Sequence, residues 1–377
     1  MKSSDHLLMY ADSEHDANML YAVGMFVPDP FIYLRLRGRA SIVMSDLEID
    51  RAGREAPHCR VLSLSRCQAQ LRRAGVKSPG PAPVIAALLR ARSIRRVLVP
   101  PNFPLGLAGE LRRLRITVRP TPGNFFPQRE LKSPAEVKKI SAALIMAEVG
   151  MSEAMQVLRS TKIGRNRRLF YHHLPLTAEK LRSVIDTAIL QAGGLAANTI
   201  VAGGPQACDP HERGSGPLHA QEPIIIDIFP RSQATGYFGD ITRTVVRGRA
   251  SEAVRRLYDT VQRGQQIGFD KIRAGIPTTD VHRAVVACFE QAGYRTGRRQ
   301  GRMTGFFHGT GHGLGLEIHE APRLGLHSNG KLVAGQVVTV EPGLYYPELG
   351  GVRIEDVALV NQHGARNLTQ FEKFLEL

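Results

Sequence analysis

From residue 134 onward the chain runs through one order of elements twice, and this duplication limits its possible folds more than any other feature. The apolar periodicity predicts helices over about 134–160 and 178–192 that lead into strands up to about 246. It then predicts helices over about 252–272 and 279–292 that lead into strands up to about 360. The copies share order without obvious sequence identity. A helix, helix, strands duplication predicts an α+β domain with a pseudo-twofold axis, its helices covering one face of an antiparallel sheet. A cleft between the halves is the expected place for a site.

The residues ahead of this duplication read differently. FIYLRL and ASIVMS predict strands, PVIAALLRAR a helix, RRVLVP a strand, LAGELRRL a helix and ITVRP a strand. A chain of 377 residues is too long for one compact core, so this stretch is expected to be a separate, smaller α/β domain over residues 1–126. The segment PTPGNFFPQRELKSPAE collects turn formers and ends in a helix start, with Ser133 as N-cap, Pro134 in the first turn and Glu136 completing a capping box. The boundary is expected near residue 127, leaving 127–377 as the second domain.

The net charge of +16 raises nucleic acid as a partner. Residues 1–126 carry 9 of those excess charges, many as pairs such as Arg72-Arg73, Arg95-Arg96 and Arg112-Arg113. No aromatic-interleaved basic motif or zinc finger accompanies them, so a solvated arginine-rich surface is the expected reading and nucleic acid is not an expected partner. Cys59, Cys67, Cys208 and Cys288 are widely spaced with no CxxC pair, which fits a reducing compartment. The start MKSSDHLLMYADSEHD lacks the apolar stretch of a signal peptide, and no apolar run is expected to serve as a membrane helix. The expectation is a cytoplasmic protein without membrane contact.

Chemistry concentrates in four segments. QEPIIIDIFPRSQATGYFGDITRTVV delivers Asp227 at the end of an apolar strand and Asp240 after a glycine-rich turn. Taken alone, these are also ordinary strand-end and turn residues. FFHGTGHGLGLEIHEAP sets His308, His312 and His319 among four glycines, where backbone can approach a ligand closely. VVTVEPGLYY and GGVRIEDVALV each embed a glutamate, Glu341 and Glu355, in a β-branched strand, where an ionised carboxylate is costly unless paired or bound to a cation. Arg353 and Glu355 are two apart and share a strand face, while Asp356 takes the other; an Arg353–Glu355 ion pair would explain Glu355 without a metal. Together, four carboxylates and an imidazole suit divalent ions such as manganese, cobalt or iron better than a structural zinc.

With these motifs in this order, the sequence resembles the pita-bread metallopeptidases of the creatinase, aminopeptidase P and prolidase type, over residues 134–377 by motif and over the whole chain by its two-domain layout. The resemblance implies a pita-bread catalytic domain behind a creatinase-like N-terminal domain. It implies two divalent metal ions, manganese first, with cobalt, iron or zinc as alternatives. Asp227 would chelate one metal, Asp240 and Glu355 would bridge both, and His312 and Glu341 would hold the other. His211 in ACDPHERGSGPL and His319 match catalytic histidines, Glu341 doubles as a catalytic group, and His308 and Arg353 match residues lining the pocket for proline. The implied activity is hydrolysis of Xaa-Pro bonds in small peptides by a metal-bridging hydroxide, in a homodimer. The loop between Asp227 and Asp240 is two residues longer than in prolidase and aminopeptidase P, with the insert around Phe229–Ala234, and DPHERGSGPL replaces the HYTEN-like segment. A metalloenzyme acting on a small non-peptide metabolite, as amide hydrolase or lyase, and a partner-binding pseudoenzyme stand as alternatives.

Overall fold

The computed structural model of the protein describes residues 6–377. The chain divides into two units after Arg129, where the sequence places the boundary after residue 126. The first unit is built on a mixed sheet of six strands: β1 (Leu7–Ala11), β2 (Phe31–Leu36), β3 (Arg39–Met44), β4 (Arg60–Ser63), β5 (Arg96–Val99) and β6 (Thr117–Pro120). Their order is β4-β3-β2-β1-β5-β6. Alternation along the strands fills both faces. Leu8, Ile32, Leu34 and Val97 pack with Ile85 and Leu89 of α4 (Pro81–Arg90) and Leu111 of α5 (Leu105–Arg113). Leu7, Met9, Phe31 and Tyr33 pack on the other side with Met19 of α1 (Ala17–Val23) and Ala52 of α2 (Ile49–Glu55). Arg72-Arg73 close α3 (Leu64–Arg73) and Arg112-Arg113 close α5, both pairs exposed, where cations complement the helix dipole.

The second unit carries the duplication. Its helices are α6 (Pro134–Ser160), α7 (Ala178–Gln191), α8 (Glu252–Lys271) and α9 (Thr278–Gln291), and they pack as the pairs α6–α7 and α8–α9. Ser133 accepts from the Glu136 amide at 3.3 Å and the Glu136 carboxylate accepts from the Ser133 amide at 2.9 Å, so the capping box starts α6. By length and composition α6 could cross a membrane, contrary to the sequence expectation that no run could. Its apolar side instead forms core, with Met151, Met155 and Leu158 packed against Leu181 and Ile185 of α7.

After the first helix pair, β7 (Ile200–Gly203), β8 (Ile224–Ile228) and β9 (Ile241–Val245) form an antiparallel sheet in that order. The second half supplies β10 (Gly311–Gly313), β11 (Glu320–Leu324), β12 (Val337–Val340), β13 (Gly343–Tyr346), β14 (Gly350–Arg353), β15 (Asp356–Val360) and β16 (Ala365–Asn367). Five of these make an antiparallel sheet ordered β11-β10-β12-β15-β16, and β13 pairs with β14. The halves meet at Thr242 and Glu355, where the Glu355 amide donates to the Thr242 carbonyl at 3.0 Å.

Period-two alternation then separates core from site. On β8, Ile224, Ile226 and Ile228 face α6 and α7, which turns Asp227 to the opposite face. On β12, Val338 and Val340 face the core with Ile272 and Val281, which turns Thr339 and the following Glu341 away from it. Asp356 takes the side opposite Glu355 and receives Arg243 Nη2 at 2.8 Å. Arg243, 1% exposed, also donates to the carbonyls of Glu355 at 2.7 Å and Phe371 at 2.6 Å, and so pins the C-terminal segment behind the site.

Candidate metal centre

The strand faces freed in this way converge. Asp227 lies on β8, Asp240 one residue ahead of β9, Glu341 just after β12, and Glu355 between β14 and β15. His312 is the middle residue of β10, squeezed between β11 and β12. A Cβ at Gly311 would stand 1.9 Å from the Thr339 carbonyl oxygen, and one at Gly313 2.1 Å from that of Ala321, so only glycine allows the approach on either side of His312.

Ligand atoms of Asp240, His312 and Glu355 lie within 4.8 Å of one another. His312 Nε2 is 3.3 Å from Glu341 Oε1 and 3.8 Å from Asp240 Oδ2. Asp227 joins them on a cavity of about 650 Å³ and accepts from Arg353 Nη2 at 2.6 Å. Glu355 Oε2 accepts from Thr242 Oγ1 at 2.7 Å. The Arg353–Glu355 ion pair that the sequence left open is therefore not the one that forms.

The electrostatics ask for positive charge. Burial, then Glu355, Asp227 and Glu341, hold the Asp240 carboxyl well above the usual carboxylate range. Burial, then Glu341 and Asp227, do the same to Glu355. Glu341 is pushed up to about 7, chiefly by burial, with Asp227 adding to the rise and Arg353 opposing it. Burial first and His319 second push His312 down to about 3, which keeps its ring neutral and able to act as a ligand. One guanidinium cannot offset four carboxylates. Asp227 Oδ1 and Glu355 Oε1 are moreover buried without a hydrogen-bond partner, a costly state for an acceptor. An oxygen-rich set with one imidazole and two orphaned oxygens fits divalent cations.

The other predicted residues surround this centre. His308 is half-buried, its Nε2 2.9 Å from the Tyr345 hydroxyl, and burial followed by Arg353 keeps its ring well below the usual imidazole range. His319 is exposed at the rim with its ring 4.4 Å from that of His312, and burial of part of the ring followed by Arg323 lowers its pKa. His211 is exposed and lines the same cavity from the 209–211 stretch. Arg353 is buried and committed to Asp227, to the Tyr345 hydroxyl at 3.1 Å and to Thr242 Oγ1 at 3.4 Å. In the longer Asp227–Asp240 loop, Phe229 lines the cavity, while Arg231–Ser232 turns away to pair with Gly194–Leu195.

Several participants escape a reading of the sequence. Thr242 and Thr339 brace the ligands: Thr339 Oγ1 accepts from the His312 amide at 3.0 Å and donates to Glu341 Oε1 at 3.3 Å. Each stands two residues from a carboxylate on the same strand face, and that spacing could have flagged both. Tyr345 and the exposed, cavity-lining Arg323 carried no such signal.

Fold and site together define a pita-bread protein with a carboxylate-rich metal centre. The chain belongs to metallopeptidase family M24, whose model matches residues 138–362. It is similar to an Xaa-Pro dipeptidase of Pyrococcus horikoshii, with 31% identity over 66% of this chain and 64% of that protein. Among solved structures it resembles an Xaa-Pro dipeptidase from Bacillus anthracis (TM-score 0.83, 23% identity, 99% of this chain and 95% of that one). It also resembles an X-Pro aminopeptidase from Thermotoga maritima (TM-score 0.82, 21% identity, 99% and 97%). At those identities the two structures share the fold. Matched stretches span 49% and 64% of the first curated relatives, so the chain covers about half to two thirds of their length.

Proposed function

We propose that the chain is a dinuclear-metal peptidase that hydrolyses Xaa-Pro bonds in small peptides. The observation that carries this reading is the convergence of Asp240, His312 and Glu355 within 4.8 Å beside the orphaned oxygens of Asp227 and Glu355. The family and the Xaa-Pro activities named for its relatives support the substrate. Asp227, Asp240, His312, Glu341 and Glu355 would hold the metals, with manganese the first to test, ahead of cobalt, iron and zinc. When bound, two divalent ions supply a hydroxide nucleophile at neutral pH and polarise the scissile carbonyl.

The chain's own groups do the rest. His211 and His319, both at the cavity, donate hydrogen bonds to the oxyanion that develops on the carbonyl. Glu341 carries a proton to the leaving nitrogen, a secondary amine that departs poorly without it. His308 forms part of the proline pocket, and Arg353 holds Asp227. Arg323 lines the same cavity, and among the described residues no carboxylate forms a salt bridge with it, so it offers a free cation to a substrate carboxylate. This favours the dipeptide form of the activity, since a dipeptide ending in proline carries its carboxylate close to the scissile bond. We infer a cytoplasmic homodimer as the working form.

The test is cleavage of Gly-Pro, Ala-Pro and Ala-Pro-Ala by the purified chain with manganese, cobalt or a chelator, followed by mass spectrometry. Metal-dependent release of the residue before proline, faster from the dipeptides, is the expected result. Failure to cleave any peptide with any metal would overturn the reading in favour of a small non-peptide substrate.

A further inference from the structure

Lys132 stands just ahead of the α6 cap, an unusual place for a lysine that is only 7% exposed. Its ammonium lies 2.8 Å from Glu320 Oε2, and Glu320 is 8% exposed. The other carboxylate oxygen, Oε1, accepts from the backbone amides of Leu316 at 3.0 Å and Glu317 at 3.1 Å. One carboxylate thus ties a buried lysine to the middle of the turn that runs from β10 to β11. The turn wraps it tightly: a Cβ at Gly315 would meet the Glu320 carboxylate at 2.6–2.8 Å. The Lys132 amide is itself fixed to the Gly335 carbonyl at 2.8 Å, so the lysine has a rigid base.

This turn follows the strand that carries His312 and ends at His319. Among the described residues no side-chain hydrogen bond holds the His319 ring, which is exposed and meets the His312 ring at 4.4 Å. Its position is therefore set by the backbone that carries it, and Glu320, the next residue, anchors that backbone. A buried ion pair is weak evidence for stability, because apolar residues of similar volume commonly do as well. Its value here lies in geometry: a carboxylate that is satisfied at both oxygens admits one arrangement of the turn.

We propose that Lys132 and Glu320 are positioning residues for His319, fixing residues 314–319 so that this histidine stays beside the metal centre. The catalytic consequence rests on the peptidase reading; the effect on the turn does not. The test compares wild type, Lys132→Met and the charge-free double variant Lys132→Met/Glu320→Met, which removes the ion pair without stranding a buried charge. Hydrogen exchange followed by mass spectrometry should show loss of protection confined to peptides covering 314–320, with the rest of the second unit unchanged. On the best Xaa-Pro peptide kcat should fall about tenfold while KM stays within about twofold, the pattern of a lost transition-state contact. In a His319→Ala background the same changes should lower kcat no further, because the residue they position is gone.

Retained protection and kcat in the double variant would overturn the proposal, as would kcat losses that multiply with that of His319→Ala. If the single variant fails to fold, the double variant decides. If wild type cleaves no Xaa-Pro peptide, the peptidase reading fails while the exchange experiment still tests whether the pair orders the turn.

Discussion

The two halves of the second unit look alike in outline and differ in how they hold their carboxylates. Each half packs a helix pair on antiparallel strands and presents two acids, Asp227 and Asp240 from the first, Glu341 and Glu355 from the second. Each half is braced by the other. Asp227 of the first half is held by Arg353 of the second at 2.6 Å, and Glu355 of the second by Thr242 of the first at 2.7 Å. One brace is a buried ion pair and the other a neutral hydroxyl. The second half also sets an imidazole, His312, among these carboxylates. The candidate ligand set is thus complete only where the halves meet, and its two sides should tolerate damage unequally.

The largest effect should come from a ligand shared between the halves. Asp240 lies within reach of His312 from the opposite half, and Asp240→Asn leaves the volume while removing the charge. Turnover of an Xaa-Pro peptide should fall by about three orders of magnitude, with metal content lowered when measured by atomic emission. Near-normal turnover with both metals present would remove Asp240 from the centre and break the symmetry between the halves.

Next come the braces. Arg353→Met strands the Asp227 carboxylate beside three others and should lower metal affinity or activity about 10- to 100-fold. Thr242→Val removes one hydroxyl from Glu355 and should cost about tenfold or less by the same measurement. Titration of metal into the stripped variants while activity is followed will rank them. Equal losses would mean that the ionic and the hydroxyl brace do equivalent work, and the asymmetry drawn above would be wrong.

How far the sequence disclosed this arrangement depends on the range of each signal. The helices of both halves were readable because 3.6-residue periodicity is local, and α6 begins where its capping box says it should. Asp227, Asp240, Glu341 and Glu355 stand out in the sequence because carboxylates inside β-branched or glycine-rich strands contrast with their neighbours, whereas only the family resemblance separates His312 from His308 and His319. In the first unit β1 gave no alternation to read, since Leu7, Leu8 and Met9 are buried on both faces of the sheet. The partner of Arg353 was not readable either. Its nearest carboxylate in sequence is Glu355, yet the pair formed joins residues 126 positions apart. Cross-half contacts depend on how the sheets dock, and no local pattern encodes that. Cys208 is buried, and burial pushes its thiol up to about 12, away from the thiolate form that would react.

The smallest effect sharpens the comparison at its least obvious point. The Tyr345 hydroxyl sits between His308 Nε2 at 2.9 Å and Arg353 Nη1 at 3.1 Å, so it links the proposed proline pocket to the brace on Asp227. Tyr345→Phe keeps the ring against Phe307 and removes one hydrogen-bonding atom. A single such bond contributes about 1 kcal/mol, so a roughly fivefold loss in kcat/KM is expected. Where the loss falls is informative. If the hydroxyl chiefly orients His308 toward substrate, KM should rise with kcat little changed. If it chiefly steadies Arg353, metal affinity should weaken in step with the milder range of Arg353→Met while KM stays constant. A combined Tyr345→Phe/Arg353→Met variant no worse than Arg353→Met alone would assign the hydroxyl to the brace, whereas additive losses would assign it to the pocket.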